Sequence, residues 1–302
     1  SLNNDIGLPA TILNARDSVE SLVLEMGMRG FGEIARLARI ARPDIAIITR
    51  VGEAHSERVG GIEGVRRAKS ELVEAIGADG FALLNADDNR VASMGSHTSG
   101  TVLTYGTAIG ADMRVAEVVP HGADGCSFVY ESRWGSGTCR LPVPGVHMAS
   151  NAAAALLAAA VVGCDLSSAV GTLGTAALSP MRMAIHEIAG VTVIDDSYNA
   201  SPTSVIAALE TLAALPATRR VAVLGQMAEI DEPERRHREV ADRAAGLGIE
   251  LLAFGTDLYG AGSIDDIDSV VLRVRELGAG GAVLVKASRV VGLDRVVRAL
   301  VS

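Results

Sequence analysis

Four short apolar runs in the second half of the chain restrict its fold more than any other feature. Val191–Asp195, Arg220–Gly225, Leu251–Gly255 and Ala282–Ala287 each read as a buried strand. Each is followed by a stretch of helical periodicity, at Thr203–Leu215, Glu234–Gly246, Ile267–Leu277 and Val291–Leu300. Strands that alternate with helices pair in parallel through right-handed crossovers, so this half predicts a compact doubly wound α/β unit. The first half has a similar texture, with candidate strands at Leu22–Met26, Ile45–Val51, Phe81–Asn85 and Thr101–Tyr105 and helices at Phe31–Ala41 and Ile62–Ile76. Alternating residues broken by Gly and Ser at Arg114–Val119, Cys126–Glu131 and Thr138–Val143 predict a small antiparallel meander. Helices at Ser150–Val162 and Leu166–Leu173 follow it. Ser179-Pro180-Met181-Arg182 then breaks the pattern, which predicts two domains, 1–182 and 183–302.

The composition agrees with this class. The chain is 49% hydrophobic but only 3% aromatic and carries 33 glycines, so its core must come mainly from Ala, Val, Leu and Ile. A net charge of −9 leaves no electrostatic footprint for nucleic acid, although dipoles and metal ions can still bind phosphorylated substrates. Cys126, Cys139 and Cys164 have no metal-type spacing, and an odd number with no signal peptide fits the reducing cytoplasm. The most apolar stretch, Ala152–Val162, is too short to span a bilayer and reads as a buried helix. The chain opens at Ser1 without a methionine and is organised from its first residues, so it reads as part of a longer protein.

The candidate chemistry lies at strand ends. Asp195-Asp196-Ser197-Tyr198-Asn199-Ala200-Ser201-Pro202 turns abruptly polar after an apolar strand, where open α/β sheets meet their ligands. There Asp196 is placed to accept a sugar hydroxyl, or the segment is simply a capped strand-to-helix turn. Glu25 and His55 project from neighbouring strand ends as oxygen and nitrogen donors for Mg²⁺ or Mn²⁺, or as ordinary polar residues. Lys69 lies on the following helix, either on a solvated face or beside a metal if carbamylation removes its charge. Asn85, with Asp87 and Asp88, suits a base, a ribose or a turn. Pro144-Gly145-Val146-His147-Met148-Ala149-Ser150-Asn151 opens an Ala-rich helix. Lys286 and Arg289 would make an anion-binding pair if they converge.

Taken in order, Asn3-Asn4-Asp5-Ile6-Gly7, Leu24–Gly27, Ala54-His55, Ala68–Glu71, Leu84–Asp87, Gly145-x-His147-x-x-x-Asn151-Ala152, Asp195–Pro202, Leu224–Glu229 and Val285–Arg289 resemble the Mur ligase family across nearly the whole chain. The resemblance implies a central ATPase domain followed by a Rossmann-like C-terminal ligase domain. It implies an ATP-dependent peptide ligase of peptidoglycan precursor synthesis, working through an acyl phosphate. Within the family it points to the branch that joins D-Ala-D-Ala to UDP-N-acetylmuramoyl-tripeptide, with ATP and Mg²⁺ as cofactors. Other Mur-type ligases, diamino-acid-adding or folylpolyglutamate-like, and a non-catalytic nucleotide-binding homologue are the alternatives.

By resemblance, Glu25, His55 and a carbamylated Lys69 hold the metal. Asn85 and Asn151 lie toward the adenine, Asp196 toward the ribose and Arg182 toward the phosphates, with His147 a further nucleotide-binding residue. Asn3 and Asn4 face the UDP-sugar peptide, while Asn199, Ser201, Lys286 and Arg289 belong to the second domain's substrate side. The expected state is a cytoplasmic monomer with no nucleic-acid partner and no membrane span. Two departures stand out. Met148 replaces the first Asn of the family's Gly-x-His-Asn-x-x-Asn motif, and no Gly-x-x-x-x-Gly-Lys-Ser/Thr phosphate loop occurs anywhere in the 302 residues. The chain on its own is therefore expected not to turn over.

Overall fold

Two six-stranded sheets organise the chain in a computed structural model that describes residues 2–54, 56–176, 179–260 and 262–301. The first half runs α1 (Gly7–Leu13), α2 (Glu33–Ala41), β1 (Ile45–Ile48), α3 (Ser56–Val59), α4 (Ile62–Glu74), β2 (Phe81–Asn85), α5 (Asn89–Ala92), β3 (Thr101–Gly106), β4 (Met113–Pro120), β5 (Cys126–Ser132), β6 (Gly135–Leu141), α6 (His147–Val161) and α7 (Leu166–Leu173). Its sheet has the order β1-β2-β3-β4-β5-β6. The pairs from β1 to β4 are parallel and the last two are antiparallel, so the meander continues the main sheet. Leu83 faces α6, whose small residues Ala149, Ala152 and Ala153 let it lie close; Ala82 and Leu84 face α4 through Val65 and Ala68.

The second half runs β7 (Ala184–Ile188), β8 (Val191–Asp195), α8 (Pro202–Ala214), β9 (Arg220–Gly225), α9 (Pro233–Gly246), β10 (Glu250–Phe254), β11 (Ser263–Ile264), α10 (Ile267–Arg275), β12 (Ala282–Lys286) and α11 (Asp294–Val301). The sheet order is β11-β10-β9-β12-β8-β7, parallel except where β7 pairs with β8. Because β12 lies between β8 and β9, the winding reverses there, and the carboxyl ends of these strands open a crevice. Val193, Val221, Val223, Val283 and Val285 pack toward α10 and α11, while Ile194, Ala222, Leu224 and Leu284 pack toward α8 and α9. This double-sided burial is why these strands read as nearly continuous apolar runs. The cluster on the α8 side also takes in Val143, Ala123 and Met148, so apolar packing joins the two halves.

Expected strands and helices are found at or near their expected positions, with one correction. Leu22–Met26 forms no strand. A strand exists only through a partner, and among the described residues the sheet ends at β1, which pairs with β2 alone. Val23 is accordingly 95% exposed. Two elements, α1 and β7, carry no apolar run that marks them in the sequence. The β7–β8 hairpin turns on Ala189 and Gly190, both at positive φ (50° and 79°), the conformation that two-residue hairpins favour. Cys126 and Cys139 are free and buried on adjacent strands, and burial pushes the Cys139 thiol up to about 11. Among the described residues no helix is long and apolar enough to cross a membrane.

Candidate active site

In the first half, the site begins where β1 ends. Three successive backbone groups are each pinned by a side chain from a neighbouring element. Asn85 donates through Nδ2 to the Thr49 carbonyl at 2.8 Å, Lys69 Nζ donates to the Arg50 carbonyl at 2.5 Å, and Asp88 Oδ2 accepts from the Val51 N–H at 2.9 Å. Asn85 Oδ1 also accepts from the Asp87 N–H at 2.9 Å, and Asp88 Oδ1 caps α5. Burial holds the Lys69 amine below the usual lysine range, against the opposing pull of the Asp88 carboxylate.

Asn3 and Glu25 come together, with Asn3 Nδ2 donating to Glu25 Oε1 at 2.9 Å and the Gly27 N–H donating to the Asn3 carbonyl at 2.8 Å. Asn4 turns back on its own chain, where Oδ1 accepts from the N–H groups of Ile6 at 3.1 Å and Gly7 at 2.9 Å. His55 lies outside the described residues. Among those described, no group of three or more His, Cys, Asp or Glu side chains is placed to hold a metal ion.

In the second half, parallel pairing of β8 with β12 sets Val285 beside Asp195, so Asp196 and Lys286 leave the sheet together. Asp195 turns inward and accepts from the Ser197 hydroxyl at 2.5 Å, which leaves Asp196 at the crevice. Lys286 Nζ donates to Asp196 Oδ2 at 2.5 Å and to the Asn199 carbonyl at 2.8 Å. The lysine side chain is 3% exposed and its partner 14%. Burial pushes the Lys286 amine down, opposed by the charge and hydrogen bond of Asp196.

Asp196 Oδ1 also accepts from the Met183 N–H at 3.2 Å, and the Tyr198 N–H donates to the Met181 carbonyl at 3.0 Å, so this loop grips the segment between the two sheets. Met181 and Met183 have positive φ, 63° and 51°, and Arg182 between them lies 4.2 Å over the Tyr198 ring. The remaining candidates are engaged locally. Ser201 opens α8 with its N–H donating to Ser204 Oγ at 2.9 Å, and Asn199 Oδ1 accepts from the Ala200 N–H. Arg289 reaches Met181 Sδ at 3.5 Å and Asp294 Oδ1 at 3.4 Å, so it does not join Lys286 on a common contact.

His147 stands between the halves. A Cβ on Gly145, which has φ +104°, would lie 2.5 Å from His147 Cε1 and 2.9 Å from Thr211 Oγ1 on α8. Burial pushes the imidazole below its ordinary range. Asp196 and Lys286 from one half, and Arg50 from the other, act on it through their charges. Asn151 is exposed and contacts Met148 Sδ at 3.6 Å, while Met148 packs against the cores of both halves. At the departure from the expected motif, an apolar interdomain contact thus replaces a polar group.

One set of residues escaped the sequence reading. Glu53, Ser56 and Arg58 bond across to Thr203, Asp231 and Glu229. The partners are 150 or more positions apart in sequence, and no local pattern marks them.

Comparison with known proteins places these elements in a wider group. The Mur ligase middle domain matches residues 1–159, and the Mur ligase glutamate ligase domain matches residues 181–289. The UDP-N-acetylmuramoyl-tripeptide–D-alanyl-D-alanine ligase of Mycobacterium tuberculosis (strain CDC 1551) is 33% identical over 339 residues, spanning 100% of this chain and 66% of the relative. The chain thus spans about two thirds of that relative's length. The crystal structure of MurF from Acinetobacter baumannii superimposes with a TM-score of 0.92 at 28% identity, covering 99% of this chain and 69% of its own. MurF ligase from Thermotoga maritima in complex with ADP gives 0.86 at 27% identity, covering 97% and 70%.

Proposed function

The chain belongs to the Mur ligase family, and from that premise we propose that it supplies the ATP-binding and amine-binding parts of a peptide ligase. The reaction is the joining of D-Ala-D-Ala to UDP-N-acetylmuramoyl-tripeptide in cytoplasmic peptidoglycan precursor synthesis. The observation that carries this reading is the convergence at His147. Its helix start packs against α8 of the other half, and Arg50 on one side and Asp196 and Lys286 on the other lie within electrostatic reach of the half-buried ring. The cleft so formed lies where a nucleotide and an acceptor amine would meet. The relative with the same architecture that binds ADP supports the nucleotide half. We set the domain boundary between residues 182 and 183, in the segment that Asp196 and Tyr198 hold, and take the enzyme to be a monomer.

The chemistry runs in two steps. A carboxylate oxygen of the tripeptide attacks the γ-phosphorus of ATP, giving an acyl phosphate and ADP. The dipeptide amine then adds to the acyl carbon, loses a proton, and inorganic phosphate leaves. Asn85 and Asn151 are assigned to the adenine, Asp196 to the ribose, Arg182 to the phosphates, and His147 to the nucleotide without a finer role. Asn3 and Asn4 are assigned to the sugar peptide, and Asn199, Ser201, Lys286 and Arg289 to the acceptor. The donors suit Mg²⁺ on one condition. Lys69 as an ammonium opposes a cation; addition of CO₂ to its neutral amine, which forms an N–C bond and releases a proton, would leave an anionic carbamate, and the downward push on the amine works in that direction. Glu25 with its second oxygen, His55 and that carbamate would then hold the ion, which when bound neutralises charge on the phosphoryl oxygens.

The test is phosphate release from ATP in the presence of both substrates. No phosphate loop occurs in the 302 residues, so the chain alone should release none in response to the dipeptide. Joined to the part of the M. tuberculosis relative that it does not match, it should gain dipeptide-dependent release. A folded fusion that responds instead to a single diamino acid or to glutamate would assign it to another branch. One that binds ADP but never releases phosphate would make it a nucleotide-binding homologue.

A further inference from the structure

The segment from Thr49 to Arg58, in its described residues, is held from two sides. Its inner side is fixed by Asn85, Lys69 and Asp88, as described above. Its outer side is fixed by the C-terminal half. Glu53 Oε2 accepts from Thr203 Oγ1 at 2.9 Å, and its Oε1 lies 3.8 Å from Arg236 Nη2. Ser56 Oγ accepts from the Asp231 N–H at 3.1 Å, and Arg58 Nη2 lies 3.1 Å from Glu229 Oε1. These contacts are not equivalent. Arg58 is 50% exposed and its pair is screened by water, whereas the Glu53 side chain is 17% exposed and Ser56 is buried. The hydrogen bond from Thr203 to this mostly covered carboxylate is therefore the strong link.

The receiving surface is built to stay in place. His237 is fully buried: its Nε2 accepts from the Met227 N–H at 2.9 Å, and its Nδ1–H donates to the Pro233 carbonyl at 2.6 Å. Ser288 Oγ accepts from the Ala228 N–H at 2.8 Å, and the Tyr259 hydroxyl donates to the Gly225 carbonyl at 2.9 Å. Glu229 and Glu232 keep positive φ of 58° and 51°, a conformation that persists only where surrounding contacts hold it. Thr203 in turn lies in the first turn of α8, directly after the loop whose Asn199 carbonyl accepts from Lys286.

We infer that Glu53 and Thr203 are a positioning pair that makes the described residues of segment 49–58 and segment 199–206 open and close as one unit, setting the Lys69 side of the cleft in register with the Asp196 side. Neither side chain is assigned to a substrate; each acts through the loop it holds. The inference concerns coupling between the halves and goes beyond the ligase reading, since it needs no nucleotide, metal or turnover.

Amide hydrogen exchange of the ligand-free 302-residue chain tests it, because local opening of each segment is read separately. Glu53→Ala and Thr203→Val should each speed exchange about tenfold in peptides from both segments, the scale of one hydrogen bond to a charged group. The melting temperature should stay within about 2 °C, since the pair is peripheral to both cores. Thr203→Ser keeps the hydroxyl and should exchange like the parent, and the double variant should be no faster than either single one. Acceleration confined to the altered segment, equal damage by Ser and Val, or additive effects in the double variant would each overturn the inference. If Glu53→Ala fails to fold, the Val and Ser variants decide by themselves. A chain that proves not to be a ligase would leave this result standing, and a failed coupling would leave the ligase assay untouched.

Discussion

Replacing Lys286 by Met probes the energetics at the centre of the cleft. Methionine keeps much of the side-chain length and loses the ammonium, so both bonds disappear, the one to Asp196 at 2.5 Å and the one to the Asn199 carbonyl at 2.8 Å. Breaking a buried ion pair by removing one partner costs about 3–5 kcal/mol, chiefly because the other charge stays behind unpaired. Here the remaining carboxylate is 14% exposed and keeps the Met183 N–H, so the lower end, about 3 kcal/mol, is expected. Removing both charges, in Lys286→Met with Asp196→Asn, should cost only about 1 kcal/mol, since burial already works against the lysine's charge. The two single changes should therefore be strongly non-additive.

Urea unfolding followed by circular dichroism measures each corner of this cycle. With a slope of roughly 1–3 kcal/mol per molar, the Lys286→Met midpoint should fall by about 1–3 M for a C-terminal transition. The single tryptophan, Trp134, lies in the first sheet between β5 and β6, so its fluorescence reports the other half separately. A Lys286→Met unfolding free energy within about 0.5 kcal/mol of the parent would refute the reasoning. So would a double variant whose loss equals the sum of the single ones, because the pair would then not be coupled.

Two further outcomes follow from buried titratable groups. His237 is folded as the neutral imidazole and its pKa is lowered by burial, so the unfolded chain binds a proton that the folded chain refuses. Its contribution should be complete above pH 6.5 and fall as the pH drops from 6.5 toward the folded value; urea midpoints taken from pH 7.5 to 5 should slope, and His237→Gln should flatten that slope. For Lys69, ¹³C-bicarbonate should produce a carbamate resonance that is absent in Lys69→Gln and fades on acidification; a parent spectrum without it would remove the lysine from the proposed metal set.

How much was legible in the sequence depended on whether a property was local. β8 and β9 run Val191–Asp195 and Arg220–Gly225, the bounds that the apolar runs predict, because central parallel strands are buried on both faces and advertise it. Leu22–Met26 carries the same local signal but forms no strand, since pairing is a property of two segments. β7 was missed because an edge strand containing His186 and Glu187 has no such run. In the site, both Asp196 and Lys286 stood out as polar strand ends, yet only the insertion of β12 beside β8 makes them partners. Glu53 lies two positions before the candidate His55, yet its contact is with Thr203, 150 positions away.

The buried pair also bears on how the cleft can meet a ligand. A carboxylate offers roughly four acceptor positions, and Asp196 spends one on Met183 and one on Lys286. On the proposed reading it can therefore take a ribose hydroxyl without releasing either partner. Lys286 has less latitude: two of its three protons are committed inside a nearly closed pocket, and drawing it toward a substrate would strip the charge from Asp196 and the support from Asn199. Arg289 is 56% exposed, and its contacts at 3.4 and 3.5 Å are long, so redirecting it costs little. Its guanidinium can also clasp a carboxylate with two parallel hydrogen bonds. On the proposed reading, Arg289 would therefore be the cation able to turn to an acceptor's carboxylate, while Lys286 would serve by holding Asp196 and the Asn199 loop in place.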